Sequence, residues 1–253
     1  YVLEKACYLA QSGRPGPVVI DIPMNFQKAE ININKLKKFI PPKVNLKKNL
    51  LKKNIKKINL LLKTSSRPVF LLGGGIKIAN VKKNIKNLLK KINIPVVSTW
   101  SGVDIIDHDN KNYIGNVGVY GSRAANFAVQ NSDLLLCLGS RLDTRITGGV
   151  PSTFARNSKV ISIDVDKNEL SKQRGLKLHL KINSDLLNFF QIFKKENKNL
   201  KYNNIHWLTK CNEWKKKYPI VKKEYYDQKK FVNPYVFINE LSKILNKKSV
   251  VIA

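Results

Sequence analysis

Between residues 46 and 195, short apolar runs alternate with longer stretches whose apolar residues recur at helical spacing. No other feature constrains the fold as strongly. The runs are "PVFLL" (68–72), "IPVVST" (94–99), "DLLLCLG" (133–139), "KVISIDVD" (159–166) and "LKLHLKI" (176–182). They are short and rich in β-branched residues, as strands covered on both faces are. Between them, an amphipathic Lys-rich helix is expected over 46–63, with Leu46, Leu50, Ile58 and Leu62 on one side. A second helix places Ile85, Leu88, Leu89 and Ile92 on one stripe, a third covers "SRAANFAVQN", and a fourth covers "SDLLNFFQIFKK". Strands that alternate with amphipathic helices predict an α/β domain: a parallel sheet with helices on both faces.

The flanks read differently. Residues 2–12 carry Leu3, Ala6, Cys7 and Ala10 at helical spacing, with Gly13 as the stop. "PVVIDIP" (17–23) then reads as another buried strand, and 31–45 as a polar, Pro-containing connector. Residues 196–230 are Lys-rich and contain Trp207, Trp214, Tyr225 and Tyr226, read as a helix packing its aromatics. In "NPYVFINELSKIL", Asn233 is the expected N-cap with Pro234 in the first turn, and "SVVIA" begins a further strand.

Composition narrows the function classes. The net charge is +30, but only seven of the 47 basic residues are Arg. Readers of bases and phosphates favour the bidentate guanidinium, and the Lys residues are mixed with Asn and Ile nearly everywhere. They are therefore read as solvated helix faces, with no nucleic-acid partner. No apolar run approaches the ~20 residues of a membrane helix, so no membrane partner is expected. Cys7, Cys137 and Cys211 are widely spaced and form no CxxC pair, which indicates reduced thiols in an intracellular protein; a cytoplasmic location is expected, with organellar targeting left open.

In such a sheet, ligands bind beyond the carboxyl ends of the strands. The first strand ends in Gly73, Gly74 and Gly75, whose backbone can approach a phosphate or ribose closely. A tight turn explains the same glycines, and neither a P-loop nor a full GxGxxG is present. "DLLLCLG" runs into "GSRLDTRITGG" (139–149), where Arg141, Asp143 and Arg145 alternate. Two guanidiniums near one carboxylate suit a pyrophosphate clamp, and equally a surface ion-pair network. Asp164 and Asp166 end the "VISIDVD" strand, positioned for a ribose hydroxyl or to cap the following helix. Together these strand ends point to a dinucleotide-like ligand. His108, His179 and His206 are scattered, with no metal cluster, no Ser–His–Asp pattern and no GxSxG.

"SGRPGPVVIDIP", "LLGGGI", "GSRAANFAVQNSDLLLCLGSRLDTRITGG" and "VISIDVD" resemble thiamine-diphosphate-dependent enzymes, and within them the acetolactate (acetohydroxyacid) synthase large subunit. The likeness covers about residues 1–190. It implies a Rossmann-like central domain at 46–195, reached by a linker at 35–45. On the same basis 1–34 is the tail of a pyrimidine-binding domain, 196–230 a helical connector and 231–253 the start of a diphosphate-binding domain, so the sheet is flanked by partial α/β domains. The resemblance implies FAD in the central domain, contacted by Arg14, Gly73, Gly74, Gly75, Thr99, Gly139, Arg141, Asp143 and Arg145, with Asp164 as an acidic ribose or adenine contact. Thr144, Tyr120 and Ile78 depart from the usual pattern, standing where a second acid, a His and a polar flavin contact are common.

The resemblance also implies thiamine diphosphate and Mg²⁺, held by residues outside this chain, since no "GDG" occurs here and no Glu sits in the catalytic context. The parent enzyme is expected to decarboxylate pyruvate and join it to a second 2-oxo acid in branched-chain amino acid biosynthesis. It is expected to be a homodimer or homotetramer, with a regulatory subunit possible, and this stretch alone is expected to be inactive. Another thiamine-dependent 2-oxo acid decarboxylase or lyase, or a stand-alone nucleotide-binding module, remains an open alternative.

Overall fold

The computed structural model describes the chain except residues 43–46, 173–174, 198–201, 247 and 252–253. Six strands form one parallel sheet: β1 (Pro68–Leu72), β2 (Val96–Ser98), β3 (Tyr113–Asn116), β4 (Leu134–Leu138), β5 (Lys159–Asp164) and β6 (Leu180–Asn183). Their spatial order is β3-β2-β1-β4-β5-β6. Phe70 of β1 pairs in register with Val96 on one side and Leu136 on the other, and Leu136 with Ile161 beyond it.

Alternate residues of each strand feed two separate cores, as a pleated sheet buried on both faces requires. On one face Phe70, Leu72, Leu136 and Ile161 meet α2 (Lys48–Thr64), α3 (Lys82–Leu89) and α5 (Leu186–Glu196). On the other, Val69, Leu71, Cys137 and Val160 meet α4 (Arg123–Gln130) and α6 (Ile205–Lys217). The expected parallel sheet with helices on both faces is therefore present.

Several local expectations are corrected. The buried stripe of α2 is Leu51, Ile55, Ile58 and Leu62, whereas Leu50 is exposed; Leu46 lies outside the described residues. With 17 residues the helix can place only one stripe on the sheet, and spacings of four, three and four keep that stripe in line. Ile92 belongs to a two-residue strand paired with Tyr202–Asn203, not to α3. The run 176–182 becomes strand only from Leu180. β3 was not expected: "YIGN" has one β-branched residue, and its Gly115 sits at φ +144°, which an L side chain rarely adopts.

The expected strand at 17–23 does not form. Residues 17–22 find no ladder partner among the described residues, and Val19 is 92% exposed. An apolar run becomes a strand only where another backbone satisfies its N–H and C=O groups, and neither edge strand pairs with this one. Ser249–Val251 likewise carry no strand; the rest of "SVVIA" lies outside the described residues.

The other flanking elements form as read. Helix α1 spans Val2–Gln11, and Gly13 follows at φ +60°. Helix α6 buries Trp207 and places Trp214 against Phe127, while Tyr225 lies outside it in a short 3-10 turn. Helix α7 (Pro234–Ile244) is capped by the Asn233 side chain and has Pro234 in its first turn, yet it buries none of its residues.

Candidate cofactor site

The strand order reverses direction between β1 and β4, which opens a crevice at their carboxyl ends. A cavity of about 680 Å³ lies there, within the size range of small-molecule sites. Every strand of the sheet ends on it. Gly74 and Gly75 follow β1, Thr99 and Trp100 follow β2, and Val117 and Tyr120 follow β3. Gly139, Ser140, Arg141, Asp143 and Arg145 follow β4, Asp164 closes β5, and Asp185 follows β6. Gln11, Gly13, Arg14 and Pro15 form a wall from the N-terminal segment. Of the ten residues expected at the site, the structure brings nine together and leaves Gly73 off the lining.

The glycines serve packing first. Gly73 N–H donates to Leu138 O (2.9 Å) and Gly75 N–H to Gly139 O (3.0 Å). A Cβ on Gly73 would collide with the Gly139 carbonyl, and one on Gly75 would lie 2.8 Å from Gly139 Cα. Gly139 itself sits at φ +61°. Two loop backbones thus interlock at the floor of the crevice, which only residues without side chains permit. This is the turn explanation of the Gly run; Gly74 and Gly75 nevertheless present backbone to the cavity.

The charged residues do not pair as the sequence reading had them. Asp143 caps the short helix Thr144–Thr147, its Oδ1 accepting from Arg145 N–H at 3.0 Å. Arg141 reaches instead to Glu169, Nη2 to Oε1 at 3.1 Å. Arg14 Nη1 donates to the same Oε1 at 2.9 Å and lies 3.7 Å from Asp166 Oδ2; Lys172 Nζ is 2.6 Å from that Oε1. Burial alone would raise the Glu169 pKa. Hydrogen bonds from Lys172 and Arg141, with the charge of Arg141 and the bond from Arg14, outweigh it and hold the pKa at about 2.

Asp164 behaves oppositely. It is buried, and desolvation raises its pKa, partly offset by the bond its Oδ1 accepts from Asp166 N–H (2.9 Å). Asp166 is the residue that caps the following helix, through a bond from Asn168 N–H. Thr99 is buried, with Oγ1 3.2 Å from Ser101 Oγ.

Three further lining or rim residues that bear on the site's chemistry were not assigned to it from sequence, Tyr120 having been noted only as a departure from the family pattern. Trp100 and Tyr120 stack, centroids 5.4 Å apart and planes at 25°, and Arg145 lies 6.0 Å over the Trp100 ring. Glu169 is the third. Its only sequence signal was the Asp166-x-x-Glu169 spacing of a capping box, which accounts for Asp166 but not for the arginines. His108, His179 and His206 do not line the cavity. Among the described residues, no group of three or more His, Cys, Asp or Glu side chains could hold a metal ion. No helix among them is long and apolar enough to cross a membrane.

Residues 55–191, the part that builds this sheet and crevice, match the profile of the thiamine pyrophosphate enzyme central domain. That match covers more than half of the chain. The chain belongs to the thiamine pyrophosphate enzymes. Within that family it is similar to the acetolactate synthase large subunit of Cyanidium caldarium, 32% identical over 97% of this chain and 43% of the relative. It is 35% identical to a probable acetolactate synthase large subunit of Methanococcus aeolicus, over 85% of this chain and 38% of that one. It is 32% identical to acetolactate synthase isozyme 2 large subunit of Escherichia coli, over 73% and 32%. This thiamine pyrophosphate enzyme chain thus spans about two fifths of the length of the first two relatives.

Proposed function

We propose that this chain forms the cofactor-binding central part of an acetolactate synthase-type thiamine pyrophosphate enzyme, and that its crevice holds FAD. One observation carries the reading: nine of the ten residues expected at the site line a single cavity at the strand ends. The donor set suits the group. Arg14, Arg141 and Arg145 supply guanidiniums for a diphosphate, Asp164 an acceptor for ribose hydroxyls, and Thr99 and Ser101 hydroxyls for a polyol. The Trp100–Tyr120 pair offers a flat face to a ring system. On this reading, as the resemblance to the acetolactate synthases implies, the FAD is not used for the carbon chemistry, and this chain's part is to bind and orient it.

The reading assigns the parent enzyme the decarboxylation of pyruvate and its carboligation to a second 2-oxo acid, as a transferase of branched-chain amino acid biosynthesis. It assigns thiamine diphosphate and Mg²⁺ to parts of the protein other than residues 1–253. The domain limits at 34, 45, 195 and 230 and a homodimeric or homotetrameric assembly belong to the same proposal. Added thiamine diphosphate, Mg²⁺ and pyruvate should give no acetolactate with this chain alone; turnover would overturn that assignment. The purified protein should carry a flavin absorption band or take up added FAD. A protein that shows no band and binds no added FAD defeats the flavin reading.

A further inference from the structure

Glu169 sits on the short helix Lys167–Ser171 after β5, and its side chain is only 5% exposed, far less than Arg14, Arg141 and Lys172, the cations it meets among the described residues. Two of these, Arg14 and Arg141, line the cavity; Glu169 does not. They come from distant places, one from the segment after α1 and the other from the loop after β4. Both reach the same oxygen, Oε1. A carboxylate this deep is costly unless paired and strongly hydrogen-bonded, and it gathers its partners for that reason. A guanidinium carries five donors in a planar fork, so one edge can bind Glu169 while another faces the cavity.

We infer that Glu169 is the positioning residue of the anion-binding rim, drawing Arg14 and Arg141 together so that both present donors to a ligand diphosphate. The inference rests on the cofactor reading above and names how its diphosphate end is prepared. Fixing two long side chains before the ligand arrives lowers what must be ordered on binding. The ligand itself never touches Glu169.

The test titrates FAD, ADP, inorganic pyrophosphate and riboflavin into wild type, Glu169→Gln and Glu169→Asp, with Glu196→Gln as the control. Glu196 pairs with Lys52 on a different part of the molecule. Glu169→Gln should weaken FAD, ADP and pyrophosphate about tenfold or more. Riboflavin, which lacks the diphosphate, should change less than about twofold, and Glu169→Asp should recover part of the loss. Amide exchange at 12–16 without ligand should quicken in Glu169→Gln and not in Glu196→Gln. Unchanged FAD and pyrophosphate binding in Glu169→Gln overturns the inference while the cofactor reading stands. An equal fall for riboflavin also overturns it, since that marks a general structural role. Wild type that binds pyrophosphate but not FAD defeats the cofactor reading and leaves the inference intact; wild type that binds none of the four defeats both.

Discussion

"PVFLL" at 68–72 and "PVVID" at 17–21 are nearly the same kind of sequence, yet one lies at the centre of the sheet and the other is bare. In β1 the backbone is paired on both sides, by β2 and β4, and each side chain enters one of two cores. Residues 17–22 have neither ladder nor cover. Apolar character sets what a segment can gain from burial; partners decide whether it gains it. Helix α7 repeats the point, with Tyr235, Phe237 and Ile238 exposed although its caps are well formed.

The contrast predicts a large difference in mutational cost. Phe70→Ala should lose about 3–5 kcal/mol of unfolding free energy through its cavity, whereas Val19→Ala should stay within about 0.5 kcal/mol. Chemical denaturation of this chain measures both, and equal costs would break the comparison. Glycines sharpen it next. Gly73→Ala should cost about 1–3 kcal/mol, because its Cβ meets backbone that cannot yield, while Gly16→Ala meets nothing within 4 Å. Thermal melting should separate the two.

A pH titration extends the contrast to the two carboxylates of the crevice. The Glu169 pKa of about 2 lies below its ordinary value of 4.5. Its stabilisation is therefore full above about pH 4.5 and is lost as pH falls toward 2. Asp164 has a raised pKa, so its ionisation works against the folded state, and acid relieves that strain. Glu169→Gln should flatten the acid limb of the stability profile, and Asp164→Asn should steepen it. The smallest effect belongs to Trp100→Ala. Half exposed, Trp100 should cost no more than about 1 kcal/mol of stability, while the variant loses quenching of bound flavin emission.

The six-stranded sheet was legible wherever strands are continuous apolar runs, because such runs need cover on both faces. β3 was not, since its position depends on Gly115 and on the neighbouring Ser98–Tyr113–Asn116 hydrogen bonds, in which Tyr113 OH lies 2.9 Å from Ser98 Oγ. The strand-end residues after β1, β4 and β5 were legible because a parallel sheet dictates where ligands bind, whereas Thr99 after β2 came only from the resemblance. Arg14 was reached only through the resemblance, since nothing local to "SGRPGP" tells which wall it joins. Glu169 escaped because its role lies in contacts with Arg14, 155 positions away, and with Arg141. The Gly run was found for its closeness to a ligand, and its firmest physical reason turned out to be the Gly139 backbone.

The most direct test of the account is a calorimetric titration of FAD into this chain, with Arg141→Ala beside wild type. The account predicts one saturable site per chain, weakened about tenfold or more in Arg141→Ala at a temperature where both proteins stay folded. No heat of binding with wild type, or equal affinity in the variant, would contradict it.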